Sequence, residues 1–172
     1  DNPWNYKFTW NPRNVVLAGK GTAQFIRNNQ PKFIAYNKLF KRTELIKVLD
    51  EGHFEGYANR DSLSYREIYG LENIPTMFRG TLRRPGFSEA WDVFVRMGMT
   101  DDSFTISNLS EMTWRDFTNS FLVYDKHKSV EDKLQDYLSV DDAIMDKIAW
   151  LGMFEENKIG LKEGSPAQVL QH

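Results

Sequence analysis

The chain has 172 residues, 41% hydrophobic and 27% charged, with a net charge of −2 and no cysteine. That length suffices for one compact domain with a core. The composition excludes disulfides and thiolate metal sites, and it leaves no field of either sign to gather nucleic acid or an anionic membrane. No apolar run approaches membrane-spanning length and no secretory leader opens the chain, so a cytoplasmic location is the default expectation.

Aromatic residues reach 14% and crowd the first dozen positions as Trp4, Tyr6, Phe8 and Trp10. A chain end is normally frayed and polar, so this one is expected to pack or bind, and to begin in mid-protein. Asn11 and Pro12 suit a helix N-cap and first position, and that helix should stop near Gly19 and Gly21. Residues 22–26 and 32–36 flank Asn28-Asn29-Gln30 and predict a hairpin, because asparagine tolerates the positive φ of a tight turn. Leu39, Phe40, Leu45, Ile46 and Leu49 predict a short helix over 39–49. Residues 54–58 predict a strand, and Asp61 or Ser62 a helix start running to Gly70. The alternation over 75–83 predicts a strand that Pro85-Gly86 ends.

Beyond this point the pattern is helical. Helices are predicted over 87–97, over 110–123 with a capping signal, over 129–137, and over 140–151 with Ile144, Ile148 and Leu151 as the apolar stripe. Gly164-Ser165-Pro166 starts a last helix that the chain end cuts off. Strands in the first half and helices in the second predict an α+β fold. The expected layout is one domain: a small mixed or antiparallel sheet with helices over 1–85, then a mostly helical part over 86–172. A sheet of three or four strands would leave an open edge that invites pairing, so a homodimer is among the expected assemblies.

Few constellations can carry chemistry. Gly19-Lys20-Gly21-Thr22 follows a helical pattern and has neither phosphate-loop spacing, so a helix stop is the better reading. His53, His127 and His172 lack the i,i+4 pairing of a helical metal site. No nucleophile elbow occurs. Two arginine segments are more informative. Residues 57–62 place Arg60 at a strand-to-helix junction, a favoured place for anions. Residues 79–84 place Arg79, Thr81 and Arg83 on one strand face, where two guanidinium groups must meet water, acids or a ligand. Arginine grips carboxylates with two parallel hydrogen bonds, so a carboxylate-bearing ligand is natural. The competing reading is weak surface ion pairing with Asp61 and Glu67, and the aromatic N-terminus could simply seal a core edge.

Three segments carry a resemblance. DNPWNYKFTWNPR at residues 1–13 resembles the D-N-P-W-x-Y-K-F-[ST]-W-x-P-R segment of the saccharopine dehydrogenases of the NADP-linked, glutamate-forming kind. YANRDS at 57–62 resembles their A-Y-P-N-R-D-S segment, with Ala58 in place of the usual proline. RGTLRRPGF at 79–87 resembles their R-G-T-L-R-x-x-G-F segment. The matches are ordered and span about the first ninety residues.

The resemblance implies the substrate domain of a saccharopine reductase, with a C-terminal domain like that of glyceraldehyde-3-phosphate dehydrogenase. It implies a preceding Rossmann domain, absent from these residues, that binds NADP (or NAD), so the fragment alone should bind no cofactor and be inactive. The full enzyme of lysine metabolism would interconvert saccharopine with glutamate and aminoadipate semialdehyde by hydride transfer. Carried over by position, Arg60 would hold one substrate carboxylate. Thr81, the Leu82 backbone and Arg83 would hold another polar end, and Trp10 and Asn11 would lie near the cofactor. Ala58 would loosen the approach to Arg60. Expected partners are a small amino-acid substrate, with no nucleic acid and no membrane. The alternatives are a non-catalytic amino-acid or protein-binding module, and a reductase of the same fold acting on a polyamine precursor or lysine.

Overall fold

The computed structural model describes residues 2–9, 11–17 and 21–172. These form two compact units, one made of Leu17–Glu89 and one of Asp1–Val16 with Ala90–His172. The secondary structure is α+β, with small antiparallel sheets and short helices. No helix among the described residues is long and apolar enough to cross a membrane.

The unit of residues 17–89 is built on two sheets. Strands β1 (Ala23–Arg27) and β2 (Gln30–Ile34) form the predicted hairpin. Its two-residue turn has Asn28 at φ 51° and Asn29 at φ 62°, the left-handed pair that matches the twist of the flanking strands. The second sheet has the order β3 (Glu44–Lys47), β4 (His53–Ala58), β5 (Gly80–Arg83), antiparallel throughout.

Two expectations need correction here. Residues 39–49 are not a helix. A 3-10 turn over Tyr36–Lys41 buries Leu39 and Phe40, and Glu44–Lys47 is then an edge strand. Pairing with β4 decides the matter, since a four-residue strand is too short for alternation to show against helical spacing. The predicted strand over 75–83 is mostly irregular: before Gly80 it contributes only an isolated antiparallel pair, Met77 with Ile26.

Register fixes the faces. Glu55 lies opposite Arg83 and Tyr57 opposite Thr81, so these four share one face, while Gly56, Ala58, Gly80 and Leu82 share the other. On the first face Tyr57 is buried against Phe40, with ring centroids 4.9 Å apart. On the second, the Ile46 side chain lies over Gly56. A Cβ built there would come 2.6 Å from Ile46 Cδ1 and 3.4 Å from Leu82 Cδ2. Helix α2 (Tyr65–Ile68) follows β4 and is later than predicted. Asp61 Oδ1 first accepts the amides of Leu63 at 2.7 Å and Ser64 at 3.4 Å.

Helix α3 (Phe87–Met97) begins in this unit, where the Glu55 carboxylate accepts the Gly86 amide at 2.6 Å and the Ser88 amide at 3.1 Å. An acid at a helix start meets unsatisfied amides and the positive end of the helix dipole.

The other unit is helical. It holds α1 (Pro12–Val16), residues 90–97 of α3, α4 (Trp114–Ser120), α5 (Val130–Leu138), α6 (Asp142–Trp150) and α7 (Pro166–Gln171). Its caps match the local chemistry: Ser129, Asp141 and Ser165 each accept an amide three residues on. Helix α4 starts later than the predicted 110–123, with Thr113 as its cap, because Thr113 and Asp116 bond reciprocally in a capping box. Trp4 explains part of the aromatic N-terminus. It is buried, stacks on Phe94 at 6.3 Å, meets Trp91 edge-on at 6.1 Å and donates Nε1–H to the Lys147 carbonyl at 2.9 Å. Arg115 joins α4 to α5 by two bonds to the Glu131 carboxylate, 2.8 and 2.7 Å long, and a third to the Phe154 carbonyl at 3.1 Å.

Two outcomes follow. Gly56→Ala should lower stability to urea by about 1–3 kcal/mol through overpacking. Ile46→Val, which removes the clashing Cδ1, should recover most of that loss in the double variant, and an additive double variant would show that Ile46 is not the obstacle. The second concerns acid. Hydrogen bonds from Arg115 hold the Glu131 carboxyl below its usual range, and the backbone and hydroxyl of Thr113 do the same for Asp116. Groups depressed in the folded state bind more protons when unfolded. Their contribution is therefore present above the ordinary carboxylate range, about 4, and is lost as pH falls through and below it. Arg115→Met should shallow that acid limb in a denaturation series, at a cost near neutrality of about 1 kcal/mol or less for so exposed a pair.

Candidate functional site

The two arginine segments meet in the unit of residues 17–89. Past the end of β4 the chain turns through Asn59, Arg60 and Asp61, and the turn is bonded at nearly every peptide. The Asn59 amide donates to the Arg79 carbonyl at 2.9 Å. The Gln24 amide of β1 donates to the Arg60 carbonyl at 3.0 Å, and the Ser62 amide donates back to the Gln24 carbonyl at 2.7 Å. Gln24 and Asp61 thus form a parallel bridge. The buried Ser62 hydroxyl accepts the Arg79 amide at 3.0 Å.

Arg60 has φ 55°, in the left-handed region a long side chain rarely adopts. It is exposed. Among the described residues its guanidinium takes no hydrogen bond, ion pair or aromatic face. The neighbouring arginines differ. Arg79 lies 4.1 Å over the Tyr65 ring and donates Nη1–H to the Asp61 carbonyl at 3.3 Å. Arg84 lies 4.3 Å over Phe54 and donates to the Glu51 carbonyl at 2.9 Å. Arg83 lies 5.2 Å over Phe87, with a long 3.4 Å contact to the Leu82 carbonyl.

The other predicted site residues fall as follows. Thr81 and Arg83 are half-buried on one face of β5, and Leu82 is exposed on the opposite face. Arg60 and Arg83 are not neighbours. Arg83 pairs with Glu55, five residues before Arg60, and β4 ends at Ala58 before the turn that carries Arg60. Arg79 precedes β5 and is committed to Tyr65 and Asp61, so it does not share an open strand face with Thr81 and Arg83. Trp10 lies outside the described residues. Asn11 is exposed and caps α1, its Oδ1 accepting the Arg13 amide at 3.0 Å.

Sequence reasoning missed Gln24, Ser62 and Tyr65 as supports of Arg60. The Tyr65/Tyr69 spacing, an i,i+4 pair stacked at 5.9 Å, was the available signal for an aromatic platform. It also missed a cavity of about 170 Å³ in the same unit, lined by Phe25, Arg27, Arg42, Glu44 and Phe78 among others and bridged by the 2.8 Å Arg27–Glu44 ion pair. No cluster of three or more histidine, aspartate or glutamate side chains among the described residues is placed to hold a metal ion.

An α+β domain with a locked, cation-bearing turn at a strand end is the class these features define. The chain belongs to the saccharopine dehydrogenase C-terminal domain family, whose model matches residues 1–172. It is 30% identical over 170 residues to the NADP-linked, L-glutamate-forming saccharopine dehydrogenase of Saccharomyces cerevisiae, covering 92% of this chain and 37% of that protein. It is 29% identical over 167 residues to the mitochondrial alpha-aminoadipic semialdehyde synthase of Rattus norvegicus, covering 92% and 18%. Its structure is similar to that of the apo L-Glu-forming saccharopine dehydrogenase from Saccharomyces cerevisiae, with a TM-score of 0.79, 28% identity, and coverage of 99% of this chain and 40% of that one. The chain therefore spans about two-fifths of the length of the fungal dehydrogenase and under a fifth of the synthase.

Proposed function

We propose that these residues are the substrate-holding domain of an oxidoreductase of lysine metabolism that acts on saccharopine. Arg60 grips one carboxylate of the substrate. Thr81, the Leu82 backbone and Arg83 take another polar end. The observation that carries this reading is the exposed Arg60 guanidinium, left without a partner among the described residues on a turn bonded at nearly every peptide. A planar guanidinium binds a carboxylate by two parallel hydrogen bonds and loses little hydration in doing so.

NADP belongs to this reading only through a nucleotide-binding domain outside these residues, bordered by Trp10 and Asn11. NADP would supply the hydride acceptor, and the residues here would select and orient the amine donor.

The test uses the full-length protein. Arg60→Asn tolerates the left-handed backbone while removing the cation, and should lower kcat/KM for saccharopine by about 2–5 kcal/mol equivalent, with Arg83→Ala in the same range. Unchanged kinetics for both variants would sink the assignment. Residues 1–172 alone should give no saccharopine-dependent NADP reduction, and measurable turnover would show that the chemistry does not need the second domain.

A further inference from the structure

We infer that Ser62 and Arg79 are positioning residues for Arg60, acting as a clasp that Tyr65 completes. This rests on the reading of Arg60 given above and extends it to residues that touch no substrate.

The clasp closes from two sides of the turn. From the backbone side, the Arg79 amide donates to the buried Ser62 hydroxyl at 3.0 Å, while the Asn59 amide donates to the Arg79 carbonyl at 2.9 Å. Arg79 therefore holds the residues on both sides of Arg60 through its main chain alone. From the side-chain side, Arg79 Nη1–H donates to the Asp61 carbonyl at 3.3 Å, and its guanidinium carbon lies over the Tyr65 ring at 4.1 Å. The peptide that follows Asp61 is thereby pinned. Gln24 pins the Arg60 carbonyl from the other direction.

Asp61 has a defined part as well. Its Oδ1 is engaged by the amides of Leu63 and Ser64. That oxygen is turned to the backbone, and Asp61 makes no ion pair with Arg60 among the described residues. Two arginines in neighbouring segments thus take opposite roles. Arg79 is fixed to carbonyl and ring, and Arg60 is presented. A left-handed non-glycine residue persists only where its surroundings over-determine it, so loosening the clasp should let Arg60 relax and misdirect its guanidinium.

The experiment is a double-mutant cycle in the full-length enzyme, with saccharopine and NADP as substrates. Ser62→Ala and Tyr65→Leu should each raise KM for saccharopine by about 10–100-fold, with kcat within about twofold, because a misplaced binding group weakens ground-state and transition-state contacts alike. Tyr65→Phe keeps the ring face and should behave as wild type. In an Arg60→Asn background, Ser62→Ala and Tyr65→Leu should change KM by less than about twofold, since the group they position is gone. A role in stability alone would give equal effects in both backgrounds, and that result overturns the clasp. If Arg60→Asn itself leaves kinetics unchanged, the reading of Arg60 fails first, and the clasp fails with it. Should Ser62→Ala not fold, the cycle stands on Tyr65→Leu, whose ring is only half-buried.

Discussion

The bridge between Gln24 and the turn after β4 is the interaction on which the sheet-bearing unit depends. Two bonds, from the Gln24 amide to Arg60 and from Ser62 back to Gln24, attach the hairpin to the end of the three-stranded sheet. The Ile26–Met77 pair continues the attachment along β1. Magnitudes show what this achieves. A non-glycine residue in the left-handed region costs about 1–2 kcal/mol. Each hydrogen bond contributes about 1 kcal/mol net, and at least five close around residues 59–62. The network therefore outweighs the strain, and the backbone of Arg60 is set by its neighbours and not by its own preference.

That balance separates structural arginines from one that is available. Placing a guanidinium over an aromatic ring contributes roughly 0.5–1 kcal/mol at an exposed site, and a bond to a carbonyl adds a similar amount. Arg79 and Arg84 have both, and Arg83 has the ring. None of these contacts is strong, and Arg83 would have to leave its ring to meet a carboxylate. Arg60 has no such contact to give up. The two arginines of the proposed site thus differ in readiness: one is presented, and the other must be recruited.

How far the sequence was legible follows from the range of the interactions. The Asn28-Asn29 turn and the caps at Ser129, Asp141 and Ser165 are decided within four residues, and they are where the residue types place them. Strand β3 is decided by β4, about ten residues on, and its apolar spacing suggested a helix instead. Arg79 is decided by Tyr65 and Asp61, fourteen and eighteen residues away, and nothing in the alternation of residues 76–83 distinguishes it from Arg83. The identity of the Arg60 segment was readable by resemblance. Its supporting contacts were not, because Gln24 lies in a strand whose pairing with the turn has no local signature.

Ala58 shows why those contacts matter more than the residue type before the turn. The segment that residues 57–62 resemble has proline there, and alanine in its place carries the expectation of a looser approach to Arg60. The register shows which bonds residue 58 touches. Asn59 bonds Arg79, so the alternate positions Tyr57 and Glu55 face β5 through hydrogen-bonded pairs, and Ala58 occupies a non-hydrogen-bonded one. Proline would sacrifice no ladder bond to β5 at that position, which explains how it is accommodated. Alanine there is buried, pairs with Gly80 and leaves every bond of the following turn in place. The backbone around Arg60 is held by Gln24, Ser62 and Arg79, none of them adjacent to Arg60 in the sequence, and residue 58 makes none of these bonds.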